Sequence, residues 1–401
     1  MPEAISHHNI TENVVGESKH INRAAPGAPY FTPLQSPPAG AAFVREDGKT
    51  VPKLFQPLKL RGLTLPNRIF LSPLCQYSAE DGHMTDYHLA HIGGIVKRGP
   101  GMTIIEATAV TPVNVGLWKD SQIAPMKRVV DFAHSQASCV APWLSAAAVA
   151  PKEQNGWPDN VLAPSAIPWN EHHANPRAMT LEDIESFKKS YADAVRRALT
   201  VGFDAIEVHA AHGYLLCSFL SPTSNQRTDK YGGSFENRTR LLLETVDLVR
   251  EIIPETMPLF VRVSGTEWLE EVEEIKESWT SDQTVKLGEI LAERGVDLMD
   301  ISSGGNHPKQ HPHAAPGYQA PLSKAMAVSA VGSIHTGKLA NELLEEGLDV
   351  IMVGRLFQKN PGVVFAFAEE LGVEVNMPNQ IRWGWSKRGA SQLKTLLDSN
   401  L

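Results

Sequence analysis

The chain has 401 residues, 42% hydrophobic and 20% charged, with a formal net charge of −8, so it can bury one large core or two ordinary ones without metal or disulfide support. Three widely spaced cysteines, Cys75, Cys139 and Cys217, argue against a disulfide framework or a zinc cage. No Lys/Arg stripe marks a nucleic-acid groove, no apolar run is long enough to span a bilayer, and residues 1–20 lack a secretory pattern; the expectation is a cytoplasmic protein with no nucleic-acid and no membrane partner.

Residues 1–50 are rich in Pro, Gly and Ala and read as an extended arm. From Leu54 onward, short apolar runs alternate with amphipathic stretches of helical period, the mark of βα units. Seven strands are expected, at 68–74, 101–110, 204–212, 259–265, 297–304, 328–334 and 349–355. Helices are expected after Thr180, which has Asp183 three residues on in a capping-box pattern, after Gly233, over 281–294 before Gly295, and over 337–348. Repeated βα order with polar residues at many strand ends fits a closed α/β (β/α)8 TIM barrel over residues 51–375, followed by a tail at 376–401, better than a doubly wound sheet. One strand is wanting between Val110 and Asp204.

The strand ends hold the chemistry. "EVHAAHGY" (207–214) runs from an apolar alternation into His209, His212 and Tyr214. Imidazoles there can polarise a carbonyl oxygen, and a phenol can give a proton to the neighbouring carbon. "SPLCQY" places Cys75 at the end of the first strand. Gly332, Gly354 and Arg355 close the last two strands, where barrels hold a phosphate on backbone N–H groups and one cation. A phosphate-bearing cofactor such as FMN would supply the missing redox centre, and Arg262, on a barrel strand, would stabilise negative charge on its ring. No ligand cluster suggests a metal site.

These stretches resemble the Old Yellow Enzyme family of FMN-dependent NADH:flavin oxidoreductases and ene-reductases, in the bacterial and fungal branch with a cysteine near the flavin. The resemblance rests on "LFQPLKLRGLTLPNRIFLSPLCQYS", "TDYHLAHIGG", "EATAVTP", "EVHAAHGYLLCSFLSPTSNQRTDKYGGSFENRTR", "LFVRVS", "DISSGGNH", "AVGSIHTG" and "VIMVGR", spanning roughly residues 54 to 370. It implies that Ser72, Pro73, Leu74, Cys75 and Ala107 lie against FMN, that Arg262 faces its pyrimidine end, and that Gly332, Gly354 and Arg355 hold its phosphate. It implies that Tyr77, His209 and His212 bind substrate and that Tyr214 is the proton donor. The reaction implied is ping-pong: NADPH (or NADH) reduces FMN, then the activated C=C of an α,β-unsaturated carbonyl is reduced. A small-molecule enone is the expected partner, and a homo-oligomer the expected state.

The resemblance also implies a third strand with a flavin-binding glutamine followed by a His-Ala-Gly-Arg-Lys run, and here "HSQ" joins "ASCVAPW" directly. Ser138–Leu144 is a poor replacement, since Pro142 lacks a ladder donor, and loss of a strand would expose two edges. After "PGYQAPLSKA" too little chain is left for a crossover helix before strand seven. The expected barrel therefore has its third-strand region and the helix before strand seven deleted or altered. Competing readings are a flavin-free barrel isomerase or lyase using the His/His/Tyr rim, and an inactive paralogue or faulty gene model. Cys139 and Cys217 read as ordinary buried thiols, His307, His311 and His313 as a solvated loop, and Tyr87, His88 and His91 as helix packing.

Overall fold

The computed structural model describes residues 23–44, 48–111, 115–145, 160–312 and 328–385. Eight parallel strands close into a barrel: β1 (Ile69–Leu71), β2 (Met102–Ala109), β3 (Cys139–Ser145), β4 (Ile206–Ala210), β5 (Leu259–Ser264), β6 (Leu298–Ser302), β7 (Val328–Val331) and β8 (Val350–Val353). The ring is sealed by Val353 of β8 lying beside Leu71 of β1. Helices α1 (Asp86–Val96), α2 (Ile123–Ser135), α3 (Leu181–Val201), α4 (Leu215–Leu220), α5 (Phe235–Ile252), α6 (Ser281–Glu293), α7 (Gly337–Glu345), α8 (Arg355–Lys359) and α9 (Val363–Glu370) follow the strands. Thr180 caps α3 as its spacing suggests: its Oγ1 accepts from the Asp183 N–H at 3.1 Å, and its own N–H donates to Asp183 Oδ2 at 2.7 Å.

Two apolar cores result from the alternation of side chains along each strand. One lies between strands and helices. The other fills the barrel with Phe70, Met102, Ile104, Ala141, Phe260, Leu298, Val350 and Met352, and continues into an antiparallel hairpin, Leu58–Leu60 with Leu63–Leu65. Residues 23–44 pack on the segment after α9: Gly40 N–H donates to Asn376 O at 2.9 Å, and Gln35 Nε2 to Gln380 Oε1 at 2.8 Å.

The third strand corrects an expectation. Residues Cys139–Ser145 form β3 despite Pro142, and the barrel has no open edge there. Pairing with β2 runs from Met102↔Cys139 to Ala109↔Ser145 with a bulge at Glu106, between the pairs Ile105↔Pro142 and Ala107↔Trp143. The proline thus falls where the ladder is already irregular, which is where a missing donor is tolerated. On the other side β3 meets β4 only at Trp143↔Glu207 and Leu144↔Val208. Side chains make up for the short ladder. Asp204 Oδ2 accepts from the Val140 N–H at 2.7 Å and also lies 3.0 Å from His134 Nε2, and the buried Tyr191 hydroxyl donates to Leu144 O at 3.1 Å. The region is altered rather than absent. The expected shortfall before strand seven falls in residues 313–327, outside the described residues.

Tyr191→Phe leaves the Leu144 carbonyl buried without its donor. It is expected to lower unfolding free energy in urea by about 1–3 kcal/mol, and an unchanged midpoint would mean that β3 is held by its ladder alone.

Candidate functional site

At the C-terminal mouth of the barrel, register brings the polar side chains together. His209 of β4 lies beside Arg262 of β5, Arg262 beside Asp300 of β6, and Asp300 beside Ser329 of β7. Below this layer Glu207 neighbours Trp143 and Phe260, and the apolar interior begins. The layer is buried throughout. Arg262 Nε is 2.9 Å from Asp300 Oδ2, an ion pair without the alignment of a hydrogen bond, and Ser329 Oγ donates to Asp300 Oδ1 at 2.9 Å. Glu207 has no hydrogen-bond partner, and burial, with the Asp300 charge adding to it, raises its pKa well above the ordinary value. Burial also raises Asp300, but Arg262 and the Ser329 hydroxyl offset part of that, so Glu207 is the neutral carboxyl of the pair.

His209 Nδ1 accepts the Ala211 N–H at 3.1 Å, which fixes its proton on Nε2. That Nε2 is buried and has no partner. Burial, with the charges of His212 and Arg262, holds His209 well below the ordinary imidazole range, and burial with Arg262 takes His212 to about 3. Both rings are neutral donors or acceptors at physiological pH. His212 Nε2 lies 2.6 Å from Ser302 Oγ.

The turn that delivers these groups is tight. His212 has φ +62° and Gly213 φ +76°, both left-handed. A Cβ on Gly213 would lie 2.3 Å from Gly305 O, and one on Gly305 2.0 Å from the His212 carbonyl carbon. Only glycines let the turn after β4 and the turn after β6 touch backbone to backbone, and that contact aims His212 and Tyr214 at the mouth. Tyr214 sits with its ring 5.0 Å from that of His209. Burial and its neighbours Cys75 and Tyr77 push the phenol up, so it keeps its proton.

Cys75 adjoins this group and stays a thiol, raised by burial and by the Glu106 carboxylate. Tyr77 is 80% exposed with φ +53°, at the outer lip. Ala107 lies against Cys75 just past the bulge in β2. Ser72, Pro73 and Leu74 continue β1, with Ser72 N–H donating to Val353 O at 2.9 Å. A Cβ on Gly354 would meet Leu74 at 3.4 Å and Ser72 at 3.9 Å, so the ends of β1 and β8 lie side by side in ordinary contact. Gly332 has φ +138°, and Arg355 opens α8 with an exposed side chain.

Sequence reasoning missed four groups. Trp143 of β3 stacks on His209 with centroids 3.8 Å apart, and the Arg262 guanidinium lies 5.2 Å from its ring centre. Glu207 and Asp300 stand in plain view inside apolar strands, where a charged residue signals an inward polar layer. Glu106, turned out by the bulge, accepts from the Gln76 N–H at 3.1 Å and pairs with the fully buried His88 at 3.2 Å. His88 thus locks the loop containing Cys75 as well as packing α1. His307 is half-buried and His311 exposed; His313 lies outside the described residues. Among the described residues no group of three or more His, Cys, Asp or Glu could hold a metal ion. A 580 Å³ surface cavity between the start of α5 and the loop after β5, lined by Ser234, Phe235, Arg238, Leu269 and Lys276, shares no residue with the mouth.

With neither histidine titrating near neutrality, the KM of an enone is expected to stay flat from about pH 5.5 to 8.5. An inflection near 6.5 would mean a charged imidazole. Stability behaves differently. The unfolded chain takes up its His212 proton at about 6.5 and the folded chain at about 3, so this contribution is present above pH ~6.5 and is lost as pH falls through that window.

The model of the NADH:flavin oxidoreductase / NADH oxidase family matches residues 53–374. An NADH:flavin oxidoreductase of Gibberella zeae is 55% identical over 404 residues, covering 92% of this chain and 96% of that protein. An NADPH dehydrogenase of Geobacillus thermodenitrificans is 39% identical over 347 residues, covering 83% and 98%. Among solved structures, the Old Yellow Enzyme from Pichia sp. AKU4542 superposes with a TM-score of 0.67 at 27% identity, covering 83% of this chain and 90% of that one.

Proposed function

The chain belongs to the NADH:flavin oxidoreductase / NADH oxidase family, and we propose that it is an FMN-dependent ene-reductase whose reductant is NADPH or NADH. The observation that supports this most is His209 Nε2–H, a buried donor with no acceptor, beside a protonated tyrosine and an arginine at the barrel mouth.

The residues fit a flavin mononucleotide. Arg262 would face its pyrimidine end, Ser72, Pro73, Leu74, Cys75 and Ala107 would line its ring, and Gly332, Gly354 and Arg355 would take its phosphate. When bound, FMN supplies the route by which hydride from NAD(P)H reaches the β-carbon of the alkene. The protein's own part is polar. His209 Nε2–H donates to the carbonyl oxygen of an α,β-unsaturated substrate, with His212, braced by Ser302, beside it; this draws electron density from the C=C and makes the β-carbon electrophilic. The enolate oxygen that develops meets donors already in place, in a buried site that needs no reorganisation. Tyr214 gives its proton to the α-carbon and recovers it from water. Cys75, held as a thiol, and Tyr77 at the lip shape the substrate side. Working in a homo-oligomer and in the cytoplasm belongs to the same proposal; among the described helices none is long and apolar enough to cross a membrane.

Steady-state assays with NADPH and 2-cyclohexenone, scored by cyclohexanone formed, are expected to give parallel double-reciprocal lines, with activity lost when the protein is stripped of flavin and restored by FMN. Turnover by the flavin-stripped protein, or none after FMN is restored, would refute the reading.

A further inference from the structure

The mouth is rich in donors and poor in acceptors. Asp300 is engaged by Arg262 and Ser329, Ser302 by His212, and neither oxygen of Glu207, one layer down, reaches a hydrogen-bond partner. Against these stand two buried N–H groups with no partner, His209 Nε2 and Trp143 Nε1, on rings stacked 3.8 Å apart. Trp143 is 5% exposed, touches His212 edge-on at 5.9 Å and has the Arg262 guanidinium over its face. A buried indole N–H without an acceptor is rare in a folded protein and points to an oxygen that arrives with a ligand. The stack on His209 leaves that imidazole one orientation, and the cation beside the indole suits an edge with partial negative charge. The third strand lacks the expected glutamine, and its inward-facing residue packed on Arg262 is this tryptophan.

We propose that Trp143 is a flavin-binding residue: its indole N–H donates to a carbonyl oxygen on the pyrimidine edge of FMN beside Arg262, while its ring fixes His209. The proposal rests on the ene-reductase reading and deepens it. It assigns to an indole the donation that an amide was expected to make, and so gives the altered β3 a place in the site.

The test uses the whole protein and needs no turnover. FMN is titrated by quenching of its fluorescence into wild type, Trp143→Phe, Trp143→Gln and Trp143→Ala, with a thermal melt of each. Trp143→Phe keeps the ring and loses the donor, and its FMN Kd is expected to rise about three- to tenfold. Trp143→Gln restores a donor and recovers most of that loss. In 15N-labelled wild type, the indole resonance that Trp143→Phe removes is expected to move downfield when FMN is added. Equal Kd in wild type and Trp143→Phe with an unmoved resonance would overturn the proposal. Tighter binding by Trp143→Ala would also overturn it, since the ring would then be an obstruction. Failure of wild type to bind FMN would instead overturn the ene-reductase reading, and this proposal with it.

Discussion

Tyr214→Phe is expected to slow enone reduction about 10²–10⁴-fold, the range for loss of a positioned proton donor, while NADPH still bleaches the flavin band at the wild-type rate. The phenyl ring preserves the edge-on contact with His209 at 5.0 Å and removes only the hydroxyl. That hydroxyl holds its proton because burial, Cys75 and Tyr77 all disfavour the phenolate. Anaerobic stopped-flow spectroscopy separates the two halves of the cycle. Equal slowing of both would place Tyr214 in structure rather than proton transfer, and no slowing would remove it from the mechanism.

Arg262→Met is expected to cost about 3–5 kcal/mol of stability, the scale of a broken buried ion pair. Asp300 is fully buried and its partner is Arg262; the Ser329 hydroxyl alone remains once the arginine is gone. Glu207 lies a layer below with no donor of its own. The sign with pH follows. Without the guanidinium the Asp300 pKa rises further above the unfolded value, so the variant's Asp300 binds a proton that the unfolded chain does not, and its deficit grows as pH rises from 5 to 8. Adding Asp300→Asn should recover part of the loss at pH 8. Urea melts of the two single variants and the double variant close the cycle. Additive effects within about 0.5 kcal/mol would show that the two groups are not coupled.

Much of this was legible in the chain. Seven barrel strands declare themselves because each is a short apolar run ending in turn or polar residues, and several are followed by a helical period. His209, His212 and Tyr214 were visible because polar residues at a strand end have no packing reason to be there. What placed them at one mouth, rather than on separate faces, was barrel closure, and that depended on β3. Pro142 made β3 look unlike a strand, because the local rule knows nothing of a bulge in the partner: Glu106 leaves the β2 ladder between the residues that pair with Pro142 and Trp143. Asp204 and Tyr191, which tie β3 down, come from helix and loop positions distant in sequence. Trp143 was hidden for a related reason. In "VAPWLS" an indole reads as core, and only the register of β3 against β4 brings it onto His209. The pairing of Glu106 with His88 needed both the bulge and α1 in place.

With an altered third strand, the closed barrel is expected to hold FMN and run both halves of an ene-reductase cycle. One anaerobic experiment tests it most directly: purified protein loaded with FMN and freed of excess, then given one equivalent of NADPH, then 2-cyclohexenone. The flavin spectrum is expected to be retained, to bleach with NADPH and to return in full with the enone. A protein that keeps no flavin, or whose bleached flavin is not restored by the enone, would contradict it.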